Sequence, residues 1–188
     1  MGRFMDRRTF LITASSLALM LAIAAPVQAA PAAAEAALSE ADAQATANKK
    51  RLLLIFHASW CVYCRLFDMM LKDKDAGPIM ARHFDVLHMR AQERKPEMQA
   101  QQLAGADDVY HRYAPEGTGL PYMVVLGEGA KKVSDSMISG ENFGFPVEPQ
   151  ELDAFDAMIK AGAPDISVAE LRTLRKTCKT LIKQKDKA

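Results

Sequence analysis

The sequence predicts an α/β fold, a central mixed sheet flanked by helices, and three observations lead there. Arg51-Leu-Leu-Leu-Ile-Phe-His57 is a short, nearly continuous apolar run, the mark of a strand buried on both faces. The elements that follow read strand, helix, strand, helix, hairpin, helix, helix, so that a βαβ half is joined to a ββα half. The length of 188 residues, with 49% hydrophobic and 25% charged side chains, suits one globular domain and argues against a disordered, collagenous or polytopic membrane chain. Three cysteines are too few for a disulfide-stapled miniprotein, and a net charge of +1 gives no reason to expect nucleic acid as a partner.

Residues 1–29 read as an address rather than as part of the fold. A basic start (Arg3, Arg7, Arg8) precedes an apolar stretch from Phe10 to Ala25, and Pro26-Val27-Gln28-Ala29 offers small residues for cleavage after Ala29. The stretch is shorter than a membrane span and is diluted by Thr13, Ser15 and Ser16, so no stable span is expected after cleavage. Asp6-Arg7-Arg8-Thr9-Phe10-Leu11 resembles the twin-arginine export signal, which implies delivery of a folded chain to the bacterial periplasm. Charge in the remainder is uneven. Residues 171–188 hold seven basic side chains and one acidic, +6, whereas residues 30–170 hold 14 basic and 21 acidic, −7. The expected organisation is therefore a signal over 1–29, an Ala-rich linker and N-terminal helix over 30–48, the domain over 49–165 and a basic C-terminal helix over 166–188.

The elements follow in order. The Ala-rich segment passes into a helix near Ser39, where Ser-Glu-Ala-Asp gives a cap. After the first strand, Val62, Leu66, Met69 and Met70 recur at helical spacing until Asp73-Lys-Asp-Ala-Gly-Pro78 breaks the helix. Phe84–Arg90 reads as the second strand and Glu97–Tyr113 as a helix. Pro121–Leu126 and Lys131–Ile138 read as a hairpin across the Gly127-Glu-Gly-Ala130 turn, giving a four-stranded sheet. Helices are expected over Gln150–Ala161 and, after Gly162-Ala-Pro164, over Ser167–Lys183. In that last helix Leu171, Leu174, Cys178 and Leu181 form an apolar stripe, so Cys178 is expected as a buried thiol; a dimer seam or a redox role are the alternatives. The basic face of this helix is read as solvated, with an acidic partner or a membrane surface as the alternative.

Trp60-Cys61-Val62-Tyr63-Cys64 sits where the first strand hands over to the first helix of the domain. The amide N–H groups and positive dipole of a helix start stabilise an anion, so Cys61 is expected to be the exposed nucleophilic thiolate. Cys64, one turn inward, is the resolving thiol that attacks a mixed disulfide on Cys61. A closed zinc site would need two further ligands, and the pair lacks the spacing for one; no metal or other cofactor is expected. His57 is adjacent to the pair, with tuning of Cys61 as the alternative to an ordinary structural place, while His83, His88 and His111 are read as surface or edge residues.

Phe56-His-Ala-Ser-Trp-Cys-Val-Tyr-Cys-Arg65, followed by Gly119-Leu120-Pro121, resembles the thioredoxin superfamily, over about Ser39 to Ala161. The resemblance implies a thioredoxin-like fold with an extra C-terminal helix. Cys61 and Cys64 would be the catalytic pair, Pro121 a cis-proline facing it, and Leu120 the backbone that pairs with an extended substrate. Trp60, Val62 and Tyr63 would complete the substrate surface. It implies protein thiols or disulfides and a redox partner protein as partners. Two departures matter. Ile55 occupies the position six residues before Cys61 where thioredoxins often carry a buried aspartate, and the Val62-Tyr63 spacer lacks both the Gly-Pro pair of thioredoxins and the histidine of strongly oxidising relatives. A potential between about −270 and −120 mV is expected. The alternatives are a binding or assembly module of the same fold without turnover, and a copper-handling protein.

Overall fold

A computed structural model describes residues 32–186, and the expected export signal lies outside them. The order is α1 (Ala33–Ala47), β1 (Arg51–His57), α2 (Val62–Lys72), α3 (Ala76–His83), β2 (Phe84–Arg90), α4 (Pro96–Gln99) and α5 (Ala106–Tyr113), then β3 (Tyr122–Gly127), β4 (Lys131–Asp135), β5 (Met137–Ile138), β6 (Glu141–Asn142), α6 (Pro149–Gly162) and α7 (Val168–Lys185). Four strands form a mixed sheet in the order β2-β1-β3-β4. β1 runs parallel to β2 and antiparallel to β3, and β3 and β4 form the expected antiparallel hairpin.

The continuous apolar run of β1 follows from its central place. Leu53 and Ile55 face a core built with α2, α3, α6 and α7, while Leu52, Leu54 and Phe56 face a second core built with α1 and α5. With both faces covered, no alternation with polar residues is called for. α7 belongs to the first core: Leu174, Cys178 and Leu181 lie in it, and the Cys178 sulfur meets the Met70 sulfur at 3.5 Å.

The structure corrects the sequence reading at four places. α1 begins at Ala33, and Ser39 is an exposed mid-helix residue, because the alanine run has the highest helix propensity and the buried Ala34 N–H finds a partner in the Ala104 carbonyl at 3.0 Å. The Asp73–Pro78 segment does end α2, at Lys72, and it is also the start of α3, a helix the sequence reading lacks. Asp73 Oδ1 accepts the N–H groups of Asp75 and Ala76, Pro78 sits in a first turn that needs no donor from it, and Gly77 lies where a Cβ would come within 2.5 Å of the Leu71 carbonyl. The helix expected over Glu97–Tyr113 is two, because Gly105 takes a left-handed φ of 83° before α5 and packs where its Cβ would strike Ala32. β4 stops at Asp135 rather than Ile138. Ser136, fully buried, accepts the Met123 N–H on its hydroxyl, so a side chain replaces the next ladder bond and the chain turns into the small β5–β6 hairpin.

Both C-terminal helices begin with reciprocal capping boxes, Glu148 with Glu151 and Ser167 with Glu170. The bonds from Ser167 hold the Glu170 carboxyl down at about 2. A carboxyl whose folded pKa is depressed contributes stability above its unfolded value and loses it as pH falls. The α7 cap should accordingly weaken between about pH 4.5 and 2, and Glu170→Gln should flatten that acid limb of the stability profile, read by chemical denaturation at each pH. Burial pushes the Cys178 thiol up to about 12. In the reduced, folded protein Cys178 should resist alkylation at neutral pH, and Cys178→Ala should leave Cys61–Cys64 exchange rates unchanged; peptide mapping after labelling checks the first and exchange kinetics the second.

Candidate active site

Pairing of β1 ends at His57, and the chain turns through Ala58-Ser59-Trp60 into α2. Cys61 is the N-cap of that helix, in extended conformation, and its sulfur accepts the Cys64 N–H at 3.1 Å. A first-turn amide that would otherwise lack a partner is thus aimed at the sulfur that must carry negative charge on reduction. Cys61 and Cys64 are bonded to one another, with their Cα atoms 5.3 Å apart. Both are only 3% exposed and pack with Ala58 and Leu120. Cys61 is therefore not the exposed residue the sequence suggests while the disulfide is closed, since the bond draws both sulfurs under the Leu120 side chain. What is exposed is the collar: Trp60 at 37%, Val62 at 43% and Tyr63 at 40%.

The Leu120–Pro121 peptide bond is cis, and Leu120 lies against the cysteine pair. Next to it a groove of about 380 Å³ is lined by Tyr63, Leu120, Asn142, Phe143, Phe145 and Glu148, among others. The structure thus brings Cys61, Cys64 and Leu120 into one cluster, with Tyr63 and Leu120 on the groove and Trp60 and Val62 at the mouth of the pair. Tyr122 faces the other core, fully buried, with its hydroxyl donating toward the Tyr113 carbonyl or Asp135; strand packing is its role.

The sequence-to-family match falls on this same assembly. Residues 33–127, half of the chain, match the thioredoxin-like family model. The chain belongs to the thioredoxin-like family. Among solved structures it is similar to a disulphide isomerase from Xylella fastidiosa Temecula1 (22% identity, 74% of this chain and 99% of that one, TM-score 0.49). It is also similar to a thioredoxin from Thermus thermophilus (22%, 68% and 88%, 0.41) and to the oxidised C-terminal domain of Neisseria meningitidis DsbD (20%, 69% and 99%, 0.36). No curated protein matches the sequence.

Within this thioredoxin-like frame, Ile55 is 1% exposed in the first core, so β1 carries no acid beneath the pair. The buried carboxylate near the motif is one the sequence reading missed. Glu93 accepts the Ser59 N–H at 2.7 Å and the Ser59 hydroxyl at 2.7 Å, with Arg90 Nε 3.6 Å away and its own side chain fully buried. Its neighbours join the same clamp. Gln92 receives the Trp60 indole N–H on its carbonyl at 2.9 Å, and the Arg94 guanidinium stacks 3.7 Å from the Trp60 ring centroid. Gln92 holds a left-handed φ of 60°, fixed by the Asp107 carboxylate that accepts its N–H. The segment after β2 thus grips the two residues before Cys61.

The histidines sort differently from the sequence reading. His83 is not a surface residue: it is buried, with Asp165 and Glu170 each at 3.5 Å. Burial, then the neighbouring His88, lowers the His57 pKa. At the edge of the collar, Lys185 of α7 stands 5.4 Å from the Tyr63 ring, which brings the basic helix to the site. Glu93→Ala should destabilise the fold by about 2 kcal/mol, because it removes a buried side chain that accepts both the Ser59 N–H and the Ser59 hydroxyl, and Glu93→Gln, which keeps an acceptor, should cost less than half of that; denaturant titrations of both variants check it.

Proposed function

We propose that this protein is a periplasmic thiol–disulfide oxidoreductase that exchanges disulfides with protein substrates through Cys61 and Cys64. The observation that carries the reading is the bonded pair at the start of α2, its Cys61 sulfur receiving the Cys64 N–H, beside a Leu120–Pro121 loop that has backbone groups to spare. Neither the N–H nor the carbonyl of Leu120 has a hydrogen-bond partner among the described residues. An extended substrate segment laid along Leu120 fills both and brings its own sulfur toward Cys61.

In the oxidising direction, a substrate thiolate attacks the Cys61 sulfur, forming a mixed disulfide while Cys64 leaves as a thiolate. A second substrate thiolate then attacks the substrate sulfur of the mixed disulfide, closing the substrate disulfide and releasing Cys61. The substrate dithiol loses two electrons and two protons, and the cysteine pair gains them. The Cys64 N–H stabilises the Cys61 thiolate as leaving group, and reversal of the same steps reduces a substrate disulfide. With Ile55 in place of an acid, no carboxylate from β1 takes up the proton of Cys64, which favours slow, partner-specific exchange over general reduction. The same feature supports a second reading, a binding module that holds a partner in the groove with the disulfide at rest. Export through the Arg7-Arg8 signal completes the proposal. Among the described residues no helix is long and apolar enough to cross a membrane.

Cys64→Ala should accumulate a mixed disulfide with a disulfide-containing peptide, as the Cys61 thiolate attacks one peptide sulfur and the other leaves as a thiolate, whereas Cys61→Ala should accumulate none; mass spectrometry after quenching in acid checks this. Wild-type protein that equilibrates with glutathione but never exchanges with peptide or protein thiols would favour the binding module instead.

A further inference from the structure

The small β5–β6 hairpin stands outside the four-stranded sheet, yet it carries the most fully bonded side chain near the site. Asn142 Nδ2 donates to the Gly119 carbonyl at 2.7 Å and to the Pro121 carbonyl at 2.9 Å. Its Oδ1 accepts from the Ser136 hydroxyl at 2.7 Å and from the Gly144 N–H at 3.1 Å. Chemistry decides the orientation of this amide: the two carbonyls can only accept and the Gly144 N–H can only donate, so the nitrogen must face the loop and the oxygen the hairpin. Ser136 in turn accepts the Met123 N–H at 3.0 Å, tying the arrangement to the start of β3. Gly144 closes it, since a Cβ there would meet the Pro121 ring at 3.4 Å.

Gly119 and Pro121 flank Leu120. With both flanking carbonyls held by one side chain, the Leu120 N–H and carbonyl are left without partners among the described residues, as is the Gly119 N–H. The Leu120 side chain is meanwhile seated on the cysteines.

We propose that Asn142 is a positioning residue for substrate: it fixes the two carbonyls around Leu120 so that the Leu120 backbone is held in place to pair with an extended cysteine-containing segment, while taking no part in the sulfur chemistry. This rests on the exchange function proposed above. It separates two classes of thiol. A peptide dithiol uses the Leu120 backbone and depends on Asn142, whereas dithiothreitol, which has no backbone to pair, does not.

The test compares oxidised wild type, Asn142→Ala and Asn142→Asp. The aspartate keeps the acceptors for Ser136 and Gly144 but offers the two loop carbonyls no donor. Rate constants for reduction by a two-cysteine peptide and by dithiothreitol are measured in stopped flow, together with the equilibrium potential of the pair in glutathione buffers. Both variants are expected to lose about tenfold in rate with the peptide, to stay within about twofold of wild type with dithiothreitol, and to keep their potential. Equal losses with both reductants, a shifted potential, or an unchanged peptide rate would overturn the assignment. Should Asn142→Ala fail to fold, Asn142→Asp carries the comparison alone, with the same outcomes. A wild-type protein that reacts with dithiothreitol and ignores the peptide would instead remove the proposed function itself, so the two failures are distinct.

Discussion

The structure depends on burial of β1 from both sides. Leu52, Leu53, Leu54, Ile55 and Phe56 are each no more than 1% exposed, and each fully buried side chain contributes about 1.5–3 kcal/mol. Their alternation divides the molecule into two cores, one toward α2, α3, α6 and α7 and the other toward α1 and α5. The hydrogen-bond ladders to β2 and β3 then hold the strand along its length, so the point where it ends is fixed to within a residue. That point is where the motif begins: the carboxyl end of a central strand in an α/β sheet is where loops are positioned by a rigid base yet open to solvent.

Beyond the strand, side chains take over from the ladder. Glu93 and Gln92 hold Ser59 and Trp60 from the β2 side, and Asn142 holds the loop that contains Leu120 from the β3 side. These polar groups are satisfied inside the protein, as burial demands of them, and each satisfied bond limits how the cysteine loop and the Leu120 loop move against one another. The cysteine pair lies between the two. Different parts thus hold the two sides of the site: an α2 amide meets the Cys61 sulfur, and the flanking clamps fix the loops beside it.

The collar adds a third component. Trp60, Val62 and Tyr63 remain exposed although the cysteines beside them are covered, so the surface around the pair is partly apolar. α7 contributes here through tertiary placement. Its apolar stripe seats it on α2, and the same register carries Lys185 to the Tyr63 ring.

Much of this was legible in residue order because it is local. A double-faced apolar run, a helix start after Trp60-Cys61 and a hairpin across Gly127–Ala130 are properties of neighbouring residues, and β1 and β2 appear with the expected bounds. The cysteine pair was legible for the same reason: Cys61 and Cys64 are three residues apart on one turn. Local rules also misled. Asp73–Pro78 breaks α2 as its residues suggest, yet it also starts α3, because Asp73 accepts the Asp75 and Ala76 N–H groups and Gly77 fits against the Leu71 carbonyl. The clamps could not be read at all. Glu93 lies 34 residues from Ser59 and Asn142 lies 23 from Gly119, with no periodicity linking them. Sequence by itself determined the first three strands, the burial of β1 on both faces and the place of the cysteine pair, since these follow from spacing along the chain. Only the tertiary structure decided which polar side chains hold that pair in place, because a hydrogen bond selects its partner by proximity, and proximity across the sheet exists only once the strands have paired.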